Sequence, residues 1–145
     1  MKSIITLLAA LSIAPAFAAD AGADLTARMA KEPGAVTTAS GLVFVPVKEG
    51  SGPAPKVTDT VRVHYRGTLP DGKEFDSSYA RNEPAEFPLT RVISCWTEGV
   101  QKIKVGGKAK LVCPPAIAYG TRGAGGVIPP NATLLFEVEL LGIAK

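Results

Sequence analysis

The sequence predicts an α+β domain: an antiparallel sheet of five to six strands curled over one short helix. Three observations carry this reading. Several segments alternate apolar and polar residues with period two. One stretch, near residue 100, repeats its apolar residues at helical spacing instead. Clusters of Pro, Gly, Asp and Ser separate these segments as turns and loops, so successive strands pair as hairpins.

The chain begins with what reads as an export signal. Lys2 supplies the positive charge, residues 4–13 form a short apolar run ending before Pro15, and Ala16-Phe17-Ala18 is an A-x-A cleavage site. The run is too short to span a bilayer, and no later stretch reaches about 20 apolar residues. Cleavage is expected after Ala18, with no Cys following as a lipid attachment point. A periplasmic or secreted protein without a membrane anchor is therefore expected. Residues 19–39 are small, polar and weakly periodic, with at most a helical turn over 24–31 before Pro33-Gly34. They read as a flexible tether to the domain at 40–145.

Residues 42–47 read as a strand at a sheet edge, because Pro46 has no N–H to donate. Over residues 60–68, Val61, Val63 and Tyr65 face one way and Arg62, His64 and Arg66 the other. Pro70-Asp71-Gly72 turns the chain into a return strand from Lys73, and residues 86–89 resume extended structure. The helix is placed at 97–104, with Trp96, Val100 and Ile103 on one face, Glu98 near its positive end, and Gly106-Gly107 as its stop. Strands follow at 109–113 and 133–143, separated by a Gly- and Pro-rich loop.

Composition excludes several functions. The chain is 46% hydrophobic and 20% charged with a net charge of +3, which falls to +2 once Lys2 leaves with the signal. That balance, without a Lys/Arg run or an RNA-type aromatic motif, argues against nucleic acid. No phosphate loop, dinucleotide fingerprint or nucleophile motif is present. The lone His64 lies in a strand and reads as structural. With two separated Cys, it makes no metal site. Cys95 and Cys113 are the only cysteines, and an oxidising compartment allows one bridge between them; two buried thiols are the alternative. What remains is an apolar, aromatic set with few polar groups, which fits either a ligand pocket or an ordinary core. The single Trp, Trp96, is read both ways.

Three blocks in order decide between these. VRVHYRGTLPDGKEFDSS (61–78), VISCWTEGVQKIKVGGKAKLVCPP (92–115) and AYGTRGAGGVIPPNATLLFEVELLGI (118–143) resemble the FKBP-type peptidyl-prolyl cis-trans isomerases, in an exported bacterial form. The resemblance covers roughly residues 40–143. It implies a twisted antiparallel sheet wrapped around one short helix, and non-covalent catalysis of X-Pro rotation without cofactor or metal. The implied partners are proline-containing polypeptides, exported proteins while they fold, and macrolide inhibitors.

By motif, Asp76, Tyr119, Trp96 and Phe136 take the catalytic roles. Trp96 is the floor under the prolyl ring, Asp76 faces the reacting amide, and the Tyr119 hydroxyl reaches a substrate carbonyl. Tyr65, Phe75, Arg81, Val92, Ile93 and Ile128 take substrate-binding roles, with Arg81 supporting Asp76, while Phe87 matches as packing. The chain departs from the family pattern at Ala85, at Ala124, and in having one residue fewer between Leu89 and Val92; Ala85 should leave one side of the pocket more open. The competing function is a module that holds Pro-containing segments without turning them over.

Overall fold

The computed structural model describes residues 17–144. The expected export signal lies outside the described residues except for Phe17 and Ala18. Seven strands form one sheet: β1 (Val36–Thr37), β2 (Val43–Lys48), β3 (Thr60–Thr68), β4 (Glu74–Ser77), β5 (Ala85–Pro88), β6 (Lys108–Cys113) and β7 (Leu134–Ala144). Their order is β1-β2-β6-β7-β3-β4, all antiparallel, with β5 beside the first half of β3 and β4 beside the second. The sheet thus gains the two-residue β1 over the expected five to six strands. Since β1 meets only Val43 and Phe44, the rest of β2 runs along an edge, which is where Pro46 is tolerated.

The period-two reading of the central strands holds. Val61, Val63 and Tyr65 of β3, and Leu134, Phe136, Val138 and Leu140 of β7, are buried on one face. On that face lies the helix α2 (Ser94–Val100), with Trp96, Val100 and Ile103 in the main core. The helix begins and ends three to four residues before the expected 97–104. Ile93 is extended, and its carbonyl accepts the N–H groups of both Trp96 and Thr97, which starts the helix at Ser94. After Val100 the bonds tighten to i→i−3, from Lys102 to Gly99 and from Ile103 to Val100. Glu98 therefore lies mid-helix and accepts a hydrogen bond from Ser40 at 2.5 Å. Gly99 lets α2 sit close to β6: a Cβ there would lie 2.8 Å from the Leu111 side chain.

The segment expected to be a tether contains a second helix, α1 (Phe17–Met29). Gly22, Leu25 and Met29 are buried along it, a face of small and apolar residues at i, i+3 and i+7. Leu25 and Met29 pack with Val43, Val45 and Val112 on the opposite side of the sheet from α2. A Cβ at Gly22 would come within 2.4 Å of Thr133 Oγ1, so glycine permits this approach. The face rests on two large residues and a glycine, which is why its periodicity is weak in sequence. Among the described residues no helix is long and apolar enough to cross a membrane.

Cys95 and Cys113 form a disulfide between the first turn of α2 and the end of β6, with both residues fully buried. The sequence separation is 18 residues, and closing a loop of that size is worth about 3 kcal/mol in the chain-entropy model.

Replacing both cysteines by Ser should lower stability in urea by about 2–4 kcal/mol; an unchanged unfolding midpoint would show that the bridge does not constrain the chain. Leu25→Ala should cost about 2–4 kcal/mol by the same measurement, as for a buried leucine, whereas a tether would cost nothing.

Candidate functional site

A cleft of about 440 Å³ opens between the apolar face of the sheet and the start of α2. Four strands, α2 and a loop contribute to it: Tyr65 from β3, Phe75 and Asp76 from β4, Phe87 from β5, Trp96 from α2, Phe136 from β7, and Tyr119 from the loop after β6. Arg91, Val92 and Ile93 line it from the 3₁₀ turn Leu89–Arg91 and the extended link into α2.

Trp96 forms the base. The residue is only 4% exposed, and Tyr65, Phe87 and Phe136 each meet its ring edge-to-face at a centroid distance of 5.4 Å. Edge-to-face contacts of this kind lock ring orientation, since the positive edge of one ring meets the negative face of the next. Phe75 packs against Phe136 in the same manner at 5.5 Å. Room for both rings comes from Gly67 of β3, where a Cβ would lie 2.5 Å from Phe75 and 2.9 Å from Phe136. The Trp96 Nε1–H is buried and has no acceptor among the described residues. Trp96 belongs to the main core cluster and also lines the cleft, so it is core and cleft floor at once.

The polar side of the cleft is a single network. Tyr65 donates its hydroxyl to Asp76 Oδ2 at 2.5 Å, and Arg81 Nη1 donates to Asp76 Oδ1 at 2.8 Å. Arg81 Nη2 also reaches the Tyr65 hydroxyl at 3.1 Å, and the Ser77 N–H donates to Asp76 Oδ1 at 2.9 Å. Burial alone would raise the Asp76 pKa; the hydrogen bonds from Tyr65 and Arg81, the Arg81 charge and the Ser77 N–H outweigh it and hold the carboxyl below its ordinary value. Burial, followed by the Asp76 hydrogen bond, pushes the Tyr65 phenol up. Near neutral pH the cleft thus holds a fixed carboxylate beside a neutral phenol.

The structure brings together Asp76, Tyr119, Trp96, Phe136, Tyr65, Phe75, Val92 and Ile93 as expected. Arg81 lies outside the lining and bonds to Asp76 and Tyr65. Ile128 also lies outside it: it is buried and pairs with Ala124, which closes the loop after Tyr119. Ala85 pairs with Val63, packs against the core and is not among the residues lining the cleft. Phe87, read as packing, is a wall of the site. Arg91 was not foreseen, because no periodicity or motif distinguishes an arginine in a turn. His64 is structural as read: its Nδ1 pairs with Ser78 Oγ at 2.8 Å and its ring stacks on Tyr79. Among the described residues, no three His, Cys, Asp or Glu side chains gather to hold a metal.

Comparison with known proteins places this geometry. Residues 52–141 match the family model of the FKBP-type peptidyl-prolyl cis-trans isomerases. The FKBP-type peptidyl-prolyl cis-trans isomerase FkpA of Escherichia coli is 56% identical over 122 residues, covering 84% of this chain and 45% of that protein. The crystal structure of FkpA from Escherichia coli superposes with a TM-score of 0.82 at 54% identity, over 87% of this chain and 60% of that one. A crystal structure of a peptidyl-prolyl cis-trans isomerase from Pseudomonas syringae pv. tomato gives 0.81 at 40% identity, over 91% of this chain and 98% of that one. The chain spans about half the length of the FkpA relatives it matches. With the family match covering most of the chain and these identities beside it, the protein belongs to the FKBP-type peptidyl-prolyl cis-trans isomerases.

Proposed function

We propose that this chain accelerates cis-trans rotation of X-Pro bonds in proline-containing polypeptides, and that its substrates are exported proteins during folding. The observation that carries the reading is the aromatic cleft over Trp96 with one fixed carboxylate at its wall. Export rests on the first 18 residues, whose charged start, apolar run and A-x-A site fit a cleaved leader.

The reaction breaks no covalent bond, so it needs no nucleophile. The barrier is the loss of amide resonance, about 18–20 kcal/mol. In the planar amide the carbonyl oxygen carries extra negative charge; in the twisted amide that charge returns to nitrogen. An apolar cleft disfavours the charge-separated planar form, and a carboxylate beside the carbonyl disfavours it further. Both effects favour the transition state over the ground state. In this reading Trp96 and Phe136 hold the prolyl ring, Asp76 tunes the carbonyl with Arg81 positioning it, and the Tyr119 hydroxyl holds the substrate chain. Tyr65, Phe75, Val92 and Ile93 supply the walls. Lowering the barrier by about 7 kcal/mol would accelerate rotation about 10⁵-fold. An apolar macrolide inhibitor would occupy the same cleft and compete with proline.

In a protease-free assay on an X-Pro peptide, Asp76→Val and Trp96→Leu should each lower kcat/KM by about tenfold or more, a loss of about 1.4 kcal/mol in transition-state binding. Full activity in both would overturn this assignment. Peptide binding by the unaltered protein without acceleration would favour a holding module.

The pH dependence has a definite sign. Asp76 has a lowered pKa in the fold, so its contribution to stability is fully present above its unfolded value of about 3.9 and is lost as pH falls through the lowered one. Tyr65 has a raised pKa and stays neutral up to about pH 10. Neither group should produce an inflection in kcat/KM between about pH 5 and 9. Titration of the Asp76 carboxyl carbon by NMR should give a midpoint below about 3.9; a higher one would contradict the network.

A further inference from the structure

We infer that Arg91 makes the cleft select proline segments that carry an acidic residue next to the proline; this rests on the isomerase reading above. Arg91 ends the 3₁₀ turn Leu89–Arg91 and lines the cleft with its side chain exposed. The turn is pinned from three sides. Leu89 is fully buried, its N–H donates to the Asp59 carbonyl at 3.0 Å, and its carbonyl accepts from Thr97 Oγ1 at 2.7 Å. The arginine therefore projects from a fixed backbone at the wall of the cleft.

Its charge has no counterpart there. Among the described residues no carboxylate lies within ion-pair distance of Arg91. The one carboxylate lining the cleft, Asp76, is already engaged by Arg81, Tyr65 and the Ser77 N–H. Asp76 and Arg81 balance each other, which leaves the cleft net positive through Arg91. A guanidinium offers a planar fork of donors that matches a carboxylate. A residue adjacent to a proline seated in the cleft lies about 3.8 Å from it along the chain, Cα to Cα, and Arg91 belongs to the lining of that cleft. Substrate carboxylates should be attracted and substrate lysines repelled, and added salt should screen both effects.

The experiment compares otherwise identical peptides carrying Glu, Gln or Lys immediately before the proline, with kcat/KM measured by NMR exchange at low and high salt. For the unaltered protein the Glu peptide should exceed the Lys peptide by about two- to fivefold at low ionic strength, the range of an exposed ion pair. The ratio should approach one at about 0.5 M salt. In Arg91→Glu the ratio should invert. A ratio near one at low salt in the unaltered protein, or a preference that survives Arg91→Glu, would overturn the inference. The salt series needs no variant, so it decides the matter even if Arg91→Glu folds poorly. Failure to accelerate any peptide, Gln included, would instead bring down the isomerase reading and this one with it; acceleration without charge preference would remove this one alone.

Discussion

Three aromatic rings, Tyr65, Phe87 and Phe136, hold the Trp96 indole edge-to-face at the start of α2, and most of the structure is arranged to permit that contact. The three rings come from β3, β5 and β7, so they meet only if the sheet has its observed order and register. α2 has to begin at Ser94 to aim the indole at them, and the extended Ile93 fixes that start. The disulfide at the neighbouring Cys95 ties the same turn to β6. Each edge-to-face pair adds about 0.5–1.5 kcal/mol beyond area burial. Their larger effect is to set the relative orientation of the rings that line the cleft.

Beside this apolar base, one polar network shapes the site's electrostatics. Asp76 has Tyr65, Arg81 and the Ser77 N–H around it, so its carboxylate is held in one orientation by the protein itself. Preorganisation of this kind would suit the proposed reaction, whose only chemical event is a redistribution of amide charge. It also accounts for the asymmetry between the two cleft-side arginines: Arg81 has a fixed partner, while Arg91 has none among the described residues.

The sheet carries burial on both faces, with α2 and the cleft on one side and α1 on the other. Val43 and Val112, paired directly in register, are fully buried under Leu25 and Met29. An antiparallel sheet can leave one face wet; here the part formed by β2 and β6 does not. The two cores meet only through the strands between them. The packing of α1 therefore supports β6 from behind, and β6 in turn carries Cys113 and leads into the loop bearing Tyr119.

What the sequence determined by itself was whatever local spacing encodes. Alternation in β3 separated its two faces, Pro46 marked an edge, and the 61–78, 92–115 and 118–143 blocks carried the aromatic and acidic members of the site. Long-range geometry escaped it. Glycines with large neighbours, Gly22 against Thr133 and Gly67 against Phe75 and Phe136, reveal their purpose only when the opposing side chain is in place. The helix start at Ser94 depends on an Ile93 carbonyl that receives two N–H groups, and no propensity signals that. Arg91 entered the site because a buried Leu89 pins its turn beside the cleft. Phe87 proved a wall because β5 pairs with β3 rather than lying apart. In each case the deciding quantity is a distance between residues remote in the chain, which tertiary packing sets and sequence periodicity does not contain.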